Sequence, residues 1–351
     1  MRKKWRKVVA IALLCVVTLG ACGVQIGEVE EKEGEIEDKI QIGMCFDSFV
    51  IERWQRDRDV FVSMAKELGA EVNVQNANGD LDKQKEQIQY FIDKGMDVIV
   101  IIAIDSNGLS DSVKKAKDAR IKVVAYDRLI YDADVDLYIS FDNEKVGALM
   151  AETLIENGIS GGKVLMLGGS LTDYNVIEME AGFKEVMDKN DVTVMDSFHA
   201  EGWLAELAAE YVYDHVQEVR NADAIMCGND NLASLVIDAL AEKRLLKDVL
   251  VVGQDADLGA CQHIVEGTQL MTVYKPVEKL AQKAAEYAVM LGKGEEIDHT
   301  EVKYISNKNY IIPYVALEPI SVTADNMNEV IIESGFHLKE DVYLNVPNLM
   351  P

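Results

Sequence analysis

The sequence predicts a parallel α/β protein built on two sheets, and three observations predict it. Short apolar runs recur along the chain, most of them rich in Val and Ile and continuous rather than alternating, as in strands buried on both faces. Amphipathic helical patterns separate these runs, and strand, helix, strand repeated this often means right-handed parallel crossovers. At roughly 150 residues per domain, the 351 residues have room for two cores.

The first residues stand apart from that pattern. Met1–Lys7 is basic, Val8–Leu19 is apolar apart from Thr18, and Gly20, Ala21 and Cys22 follow. This is the pattern of a secretory signal over residues 1–21. Its apolar run falls short of the roughly 20 residues a membrane span needs. Leu19-Gly20-Ala21-Cys22 resembles the bacterial lipobox, which implies cleavage before Cys22 and a lipid on its sulfur. Residues 22–38, rich in Gly and Glu and without aromatics, then read as an acidic tether that cannot bury a core.

The strand-like runs follow in order: Ile40–Phe46, Glu71–Gln75, Asp97–Ile102, Ile121–Tyr126, Leu137–Ser140, Lys163–Leu167, Val192–Phe198, Ala222–Cys227, Val249–Val252 and Gln269–Tyr274. Between them, helical faces are formed by Val146, Leu149, Met150 and Leu154, by Leu204, Leu207, Ala208, Tyr211 and Val212, and by Val277, Leu280, Ala281, Ala284, Ala285 and Ala288. A break falls near Ser140–Glu144. From about Glu301 to His337 the short extended runs suit hinge crossings and an edge strand of the second lobe. Residues 338–351 carry no pattern and read as a peripheral tail.

Composition excludes some partners. Hydrophobic residues make up 49% of the chain and charged residues 27%, which is globular. The net charge of −26 disfavours a nucleic-acid surface, which needs a basic stripe. Cys45, Cys227 and Cys261 are widely spaced and read as buried free thiols. The five His show no metal-ligand spacing, and neither a metal nor a cofactor is implied.

Ligands of parallel α/β sheets bind beyond the carboxyl ends of strands. At those positions stand Asp47, Arg53 and Trp54, then Asp127 and Arg128, then Gly168-Gly169-Ser170 with Asp173 and Asn175. Trp203, Asn229 and Asp230, Gln254 and Asp255, and Lys275 complete the set. Carboxylates accept, Arg and Lys donate, and Asn does both, which matches the hydroxyl edge of a sugar. Indoles cover its C–H faces, so Trp54 and Trp203, expected in loops, are assigned to stacking. Asn229 reads as a ligand residue and Asp230 as the cap of the following helix.

A family resemblance rests on Glu52-Arg53-Trp54-Gln55, Gln75-Asn76-Ala77-Asn78-Gly79 and Ala125-Tyr126-Asp127-Arg128. It rests equally on Tyr138-Ile139-Ser140-Phe141-Asp142-Asn143-Glu144, Gly253-Gln254-Asp255-Ala256-Asp257-Leu258 and Met271-Thr272-Val273-Tyr274-Lys275-Pro276. With these motifs the chain resembles the sugar-binding proteins of bacterial ABC importers, most closely the xylose binders, over about residues 39–337. The resemblance implies the type I periplasmic binding protein fold: two Rossmann-like lobes with parallel sheets, joined by a three-strand hinge. It implies a first lobe of 39–141 plus 276–303 and a second of 142–275 plus 304–337. It also implies a pyranose between Trp54 and Trp203, bonded by Arg53, Asp127 and Arg128 from one lobe and Asn175, Asn229 and Asp255 from the other, with Lys275 at the crossing. Asp173-Tyr174-Asn175 stands where xylose binders usually have Asp-Asn-Asn, so the rim differs.

The expected protein is therefore a monomer on the outer face of the cell membrane that delivers a monosaccharide, D-xylose first, to ABC permease subunits. Glucose, arabinose and galactose stay open, as does a sensory lobe presenting sugar to a membrane receptor. A dehydrogenase is disfavoured because Gly43-Met44-Cys45-Phe46-Asp47 follows no dinucleotide fingerprint, and no nucleophile elbow occurs. A sugar-responsive repressor is disfavoured by the signal where a helix-turn-helix head would stand.

Overall fold

The computed structural model describes residues 39–300 and 302–351. The expected signal, the Cys22 anchor and the tether lie outside the described residues. In chain order the main elements are β1 (Ile40–Phe46), α1 (Arg53–Glu67), β2 (Ala70–Asn76), α2 (Leu81–Lys94), β3 (Val98–Ile101), α3 (Ser110–Asp118), β4 (Lys122–Tyr126) and β5 (Leu137–Phe141). Then come α4 (Asn143–Glu156), β6 (Lys163–Gly168), α5 (Tyr174–Lys189), β7 (Thr193–His199), α6 (Ala205–Asp214), α7 (Val216–Arg220), β8 (Ala224–Cys227), α8 (Asp230–Glu242), β9 (Leu250–Gln254), α9 (Leu258–Glu266) and β10 (Met271–Tyr274). The chain ends with α10 (Val277–Gly292), β11 (Lys303–Asn307), β12 (Tyr310–Leu317), β13 (Ile320–Val322) and α11 (Lys339–Val342).

These strands form two mostly parallel sheets. The first runs β11-β12-β5-β4-β3-β1-β2 and the second β13-β10-β9-β8-β6-β7. Both contain the same order of winding, second strand, first, third, fourth, fifth. Strand order therefore reverses beside β1 in one sheet and beside β6 in the other, where ligands of open α/β sheets bind. Helix α10 packs on α1 and on β1, β3 and β4, whereas α4 packs on α5, β9, β10 and β13. The chain thus passes between lobes three times, after β5, after β10 and after β12.

The third passage corrects an expectation. Residues 304–317, assigned from the sequence to the second lobe, belong to the first sheet. There β12 pairs parallel with β5, Tyr314 opposite Tyr138, and β11 closes the edge as an antiparallel hairpin. The rings of Tyr138 and Tyr314 stack at 4.8 Å, and Asn307 Nδ2 donates to the carbonyls of Ile130 and Ala133. Only β13, antiparallel to β10, is an edge strand of the second sheet.

Local chemistry explains the helix starts that matter for the site. Asp142 accepts from the Lys145 amide to cap α4, and Asp173 accepts from the Asn175 amide to cap α5. These two helices touch through glycines. A Cβ on Gly147 would sit 1.8 Å from the Met179 carbonyl oxygen, and one on Gly182 would sit 1.9 Å from that of Glu144. The apolar face of α10 is fully buried from Val277 to Ala288. Leu204 instead precedes α6 and is exposed, so it is not part of that helix's buried face. Cys45, Cys227 and Cys261 are buried and free, and burial pushes the Cys45 thiol up to about 12. The C-terminal stretch packs α11 against α9, with Val342 and Tyr343 buried.

Candidate functional site

The carboxyl ends of the two sheets converge on one cavity of about 20 Å³. Its wall holds Arg53, Trp54, Asp127 and Arg128 from the first lobe, Asn175, Trp203 and Asp255 from the second, and Lys275 at a crossing. Ile51, Asn143, Asp173, Met179 and Gln254 complete it. Of the nine residues expected to bind the sugar, eight are therefore brought together in this wall, and Asn229 is the one that does not line it.

Arg53 opens α1 and is held from two sides. Its Nη2 lies 3.0 Å from Asp57 Oδ1, one helical turn on, and 2.9 Å from Asp127 Oδ2. Asp57 also accepts a hydrogen bond from the Tyr126 hydroxyl. Arg128 uses its fork across the cleft: Nη1 meets Asp47 Oδ2 at 2.6 Å and Nε meets Asp173 Oδ2 at 2.7 Å. Lys275 Nζ lies 2.8 Å from Asp255 Oδ1. Asn175, in the first turn of α5, donates from Nδ2 to Asp127 Oδ1 at 3.1 Å. Burial alone would raise the Asp127 carboxyl, but Arg53, Lys275 and Arg128 outweigh it and hold it below the ordinary carboxylate range. Asp173 goes the other way, because burial exceeds the effect of Arg128.

Backbone strain collects in the same place. Asp127, Trp203 and Asp255 have φ of +62°, +60° and +99°. Left-handed backbone in such residues costs on the order of 1–3 kcal/mol and persists where the surroundings impose it, typically at ligand clamps. Four buried polar atoms of the wall have no hydrogen-bond partner among the described residues: Trp54 Nε1, Trp203 Nε1, Arg128 Nη2 and Asn175 Oδ1. A buried unsatisfied group costs about 1–3 kcal/mol, so the wall is built to bind a group with both donors and acceptors.

The two indoles are buried, at 1% and 6% exposure, rather than exposed on loops as expected. Trp54 is the second residue of α1, with the Arg53 guanidinium 4.5 Å and that of Arg128 5.6 Å from its ring centroid. Trp203 ends a short 3₁₀ turn and lies against Gly169, where a Cβ would come within 2.4 Å of the indole. The glycine pair after β6 is thus more than a tight turn, since Gly169 admits Trp203 to the wall.

Asn229, not Asp230, takes the capping role. Asn229 Oδ1 caps α8 by accepting from the Leu232 amide at 2.9 Å, and its Nδ2 is buried without a partner among the described residues. Asp230 is not the cap. It is buried and accepts from Thr272 Oγ1 at 2.6 Å, Gln269 Nε2 at 2.9 Å and the Asp257 amide at 3.2 Å. Sequence reasoning missed Asp57, although its spacing of four from Arg53 is the ordinary helical ion-pair signal. It also missed Ile51, Asn143 and Met179, which carry no local signal of lining a cavity. Among the described residues, no group of three or more His, Cys, Asp or Glu side chains could hold a metal ion, and no helix is long and apolar enough to cross a membrane.

Comparison with known proteins agrees with this architecture. The family model for the periplasmic binding protein domain matches residues 42–296. The chain is 44% identical over 309 residues to the D-xylose-binding periplasmic protein of Haemophilus influenzae, covering 87% of this chain and 92% of that one. It is 42% identical over 311 residues to the D-xylose-binding periplasmic protein of Escherichia coli, covering 87% and 93%. A carbohydrate transporter solute binding protein from Chloroflexus aurantiacus, solved in complex with D-glucose, superposes with a TM-score of 0.79 at 25% identity, covering 86% of this chain and 98% of that one.

Proposed function

The chain belongs to the periplasmic binding protein family, and from that premise we propose that it captures D-xylose between its lobes for an ABC importer. The family consists of substrate-binding transport proteins rather than enzymes. The observation that carries the sugar reading is the set of unpartnered buried atoms, three donors and one acceptor, in a wall shared by both lobes. A hydroxyl donates and accepts at once, so a ring of hydroxyls pairs with such a mixture where an apolar ligand would leave it stranded. The xylose assignment is supported by the two relatives above 40% identity.

In this proposal Trp54 and Trp203 cover the C–H faces of the pyranose. Arg53, Asp127 and Arg128 bond its hydroxyls from the first lobe, Asn175 and Asp255 from the second, and Lys275 from the crossing. Asn229 contributes its Nδ2, its Oδ1 being used in the cap. Residues of both lobes wall the cavity, so a pyranose enters when the lobes part about the three crossings. Export, a lipid anchor at Cys22, delivery to permease subunits and a monomeric state complete the proposal.

Calorimetric titration of the purified protein with a panel of pentoses and hexoses tests it. Heat of binding is expected with D-xylose. Absence of heat with every aldopentose and aldohexose would reject the sugar reading, and a stronger response to D-glucose would replace xylose with a hexose.

A further inference from the structure

The four residues 172–175 at the start of α5 reach across to the first lobe one after another. The Thr172 carbonyl accepts from the Ser106 amide at 2.8 Å. Asp173 meets Arg128, and Asn175 meets Asp127, as described above. Between them, the ring of Tyr174 stacks on Tyr131 of the first lobe, with centroids 6.3 Å apart and planes 17° from parallel. Tyr131 is itself tied to its own lobe, since its amide donates to the Ser106 carbonyl at 2.7 Å.

Tyr174 differs from its neighbours in two respects. It is absent from the cavity wall that Asp173 and Asn175 line. It also packs against the first lobe's own core, the cluster around Ile99, Val123 and Tyr138. Among the described residues packed on that cluster, it alone comes from the second lobe. Opening the lobes therefore separates an aromatic pair and uncovers apolar surface, whether or not a ligand is bound.

We propose that Tyr174 is a positioning residue that sets how long the closed state lasts. It clasps Tyr131 across the cleft and acts on bound sugar only through closure. The inference rests on the sugar reading for its ligand but not for its mechanics. An aromatic pair contributes about 0.5–1.5 kcal/mol beyond area burial, equivalent to about 2- to 12-fold in an equilibrium constant. Because the contact must break before bound sugar can leave, that factor belongs to release rather than to capture.

The test compares the full chain with Tyr174→Phe, Tyr174→Ala and Tyr131→Ala. Stopped-flow fluorescence follows D-xylose association and dissociation, and single-molecule energy transfer between dyes on the two lobes gives the closed-state lifetime without sugar. Tyr174→Ala and Tyr131→Ala are expected to speed dissociation about 3- to 10-fold, with association within twofold. Tyr174→Phe, which keeps the stack, should stay within twofold of wild type in both rates. The ligand-free closed lifetime should shorten in the two alanine variants and not in Tyr174→Phe. Unchanged dissociation and unchanged closed lifetime in Tyr174→Ala would overturn the clasp, as would a Tyr174→Phe variant as impaired as Tyr174→Ala. No xylose response in wild type, together with a shortened lifetime in the alanine variants, would overturn the xylose reading and uphold the clasp.

Discussion

Arg128 and Asp173 join the two lobes through a single contact, guanidinium Nε to carboxylate Oδ2 at 2.7 Å. The other oxygen of Asp173 caps α5 by accepting from the Asn175 amide at 3.0 Å. One carboxylate therefore fixes a helix start and an inter-lobe bridge together. Asp47 holds the far side of the same guanidinium, so the fork is oriented before any ligand arrives.

Arg128→Ala should be costly twice over. It strands the buried carboxylates of Asp47 and Asp173, and breaking a buried pair by removing one partner costs about 3–5 kcal/mol. In the proposed binding mode it also removes a charged ligand contact, worth about 2–5 kcal/mol in a buried site. Urea denaturation should show the first loss and calorimetry with D-xylose the second. Affinity within twofold of wild type would show that Arg128 does not touch the sugar.

Gly169→Ala places a methyl 2.4 Å from the buried Trp203 indole, so the ring must shift. Overpacking of this kind typically costs about 1–3 kcal/mol. The expected result is a lower denaturation midpoint with a larger relative fall in sugar affinity, since the ring that is displaced belongs to the cavity wall. An affinity that survives while stability falls would take Trp203 out of the site.

Both indoles of the described chain line the cavity, so sugar should alter tryptophan emission. Replacement of either one by Phe should reduce the amplitude, and replacement of both should abolish the sugar-dependent change. A response that persisted in the double variant would refute the stacking assignment.

Glu178 gives a pH dependence with a definite sign. Burial, and then the nearby Glu144, Asp142 and Asp173, raise its carboxyl from 4.5 to about 7, against the Asn143 amide that donates to it at 3.1 Å. The native state thus holds this proton more tightly than the unfolded chain does. Its contribution to stability is fully present below 4.5 and is lost as pH rises through about 7. Denaturation at a series of pH values should show wild-type stability declining over that window relative to Glu178→Gln. Parallel curves for the two proteins would remove Glu178 as the cause.

Much of this was legible before any coordinates. The ten strand-like runs all became strands, most of them because a continuous Val/Ile run between helices suits burial on both faces, although the edge strands β2 and β7 are only partly buried. Reading strand ends found eight of the nine cavity candidates, because the carboxyl-end rule converts one-dimensional position into a place in space. Asn229 was harder to read, because an Asn before a helix has the same signature as cap and as ligand, and its Oδ1 caps α8 while its Nδ2 stays unpartnered among the described residues. The 304–317 segment was misplaced because the sequence of the β11–β12 hairpin carries no mark of which sheet it will extend.

By itself, the sequence determined the order of elements, the parallel winding and the residues available at the mouth of the cleft, since each depends on periodicity and neighbours along the chain. Tertiary structure alone decided the distant partners: Arg128 between Asp47 and Asp173, Arg53 on Asp127, β12 against β5, and Tyr174 on Tyr131. Most of those pairings join residues dozens of positions apart and in different elements. Their energies depend on distance and desolvation, which exist only once the chain has folded and, for the pairs that span the cleft, once the lobes have closed.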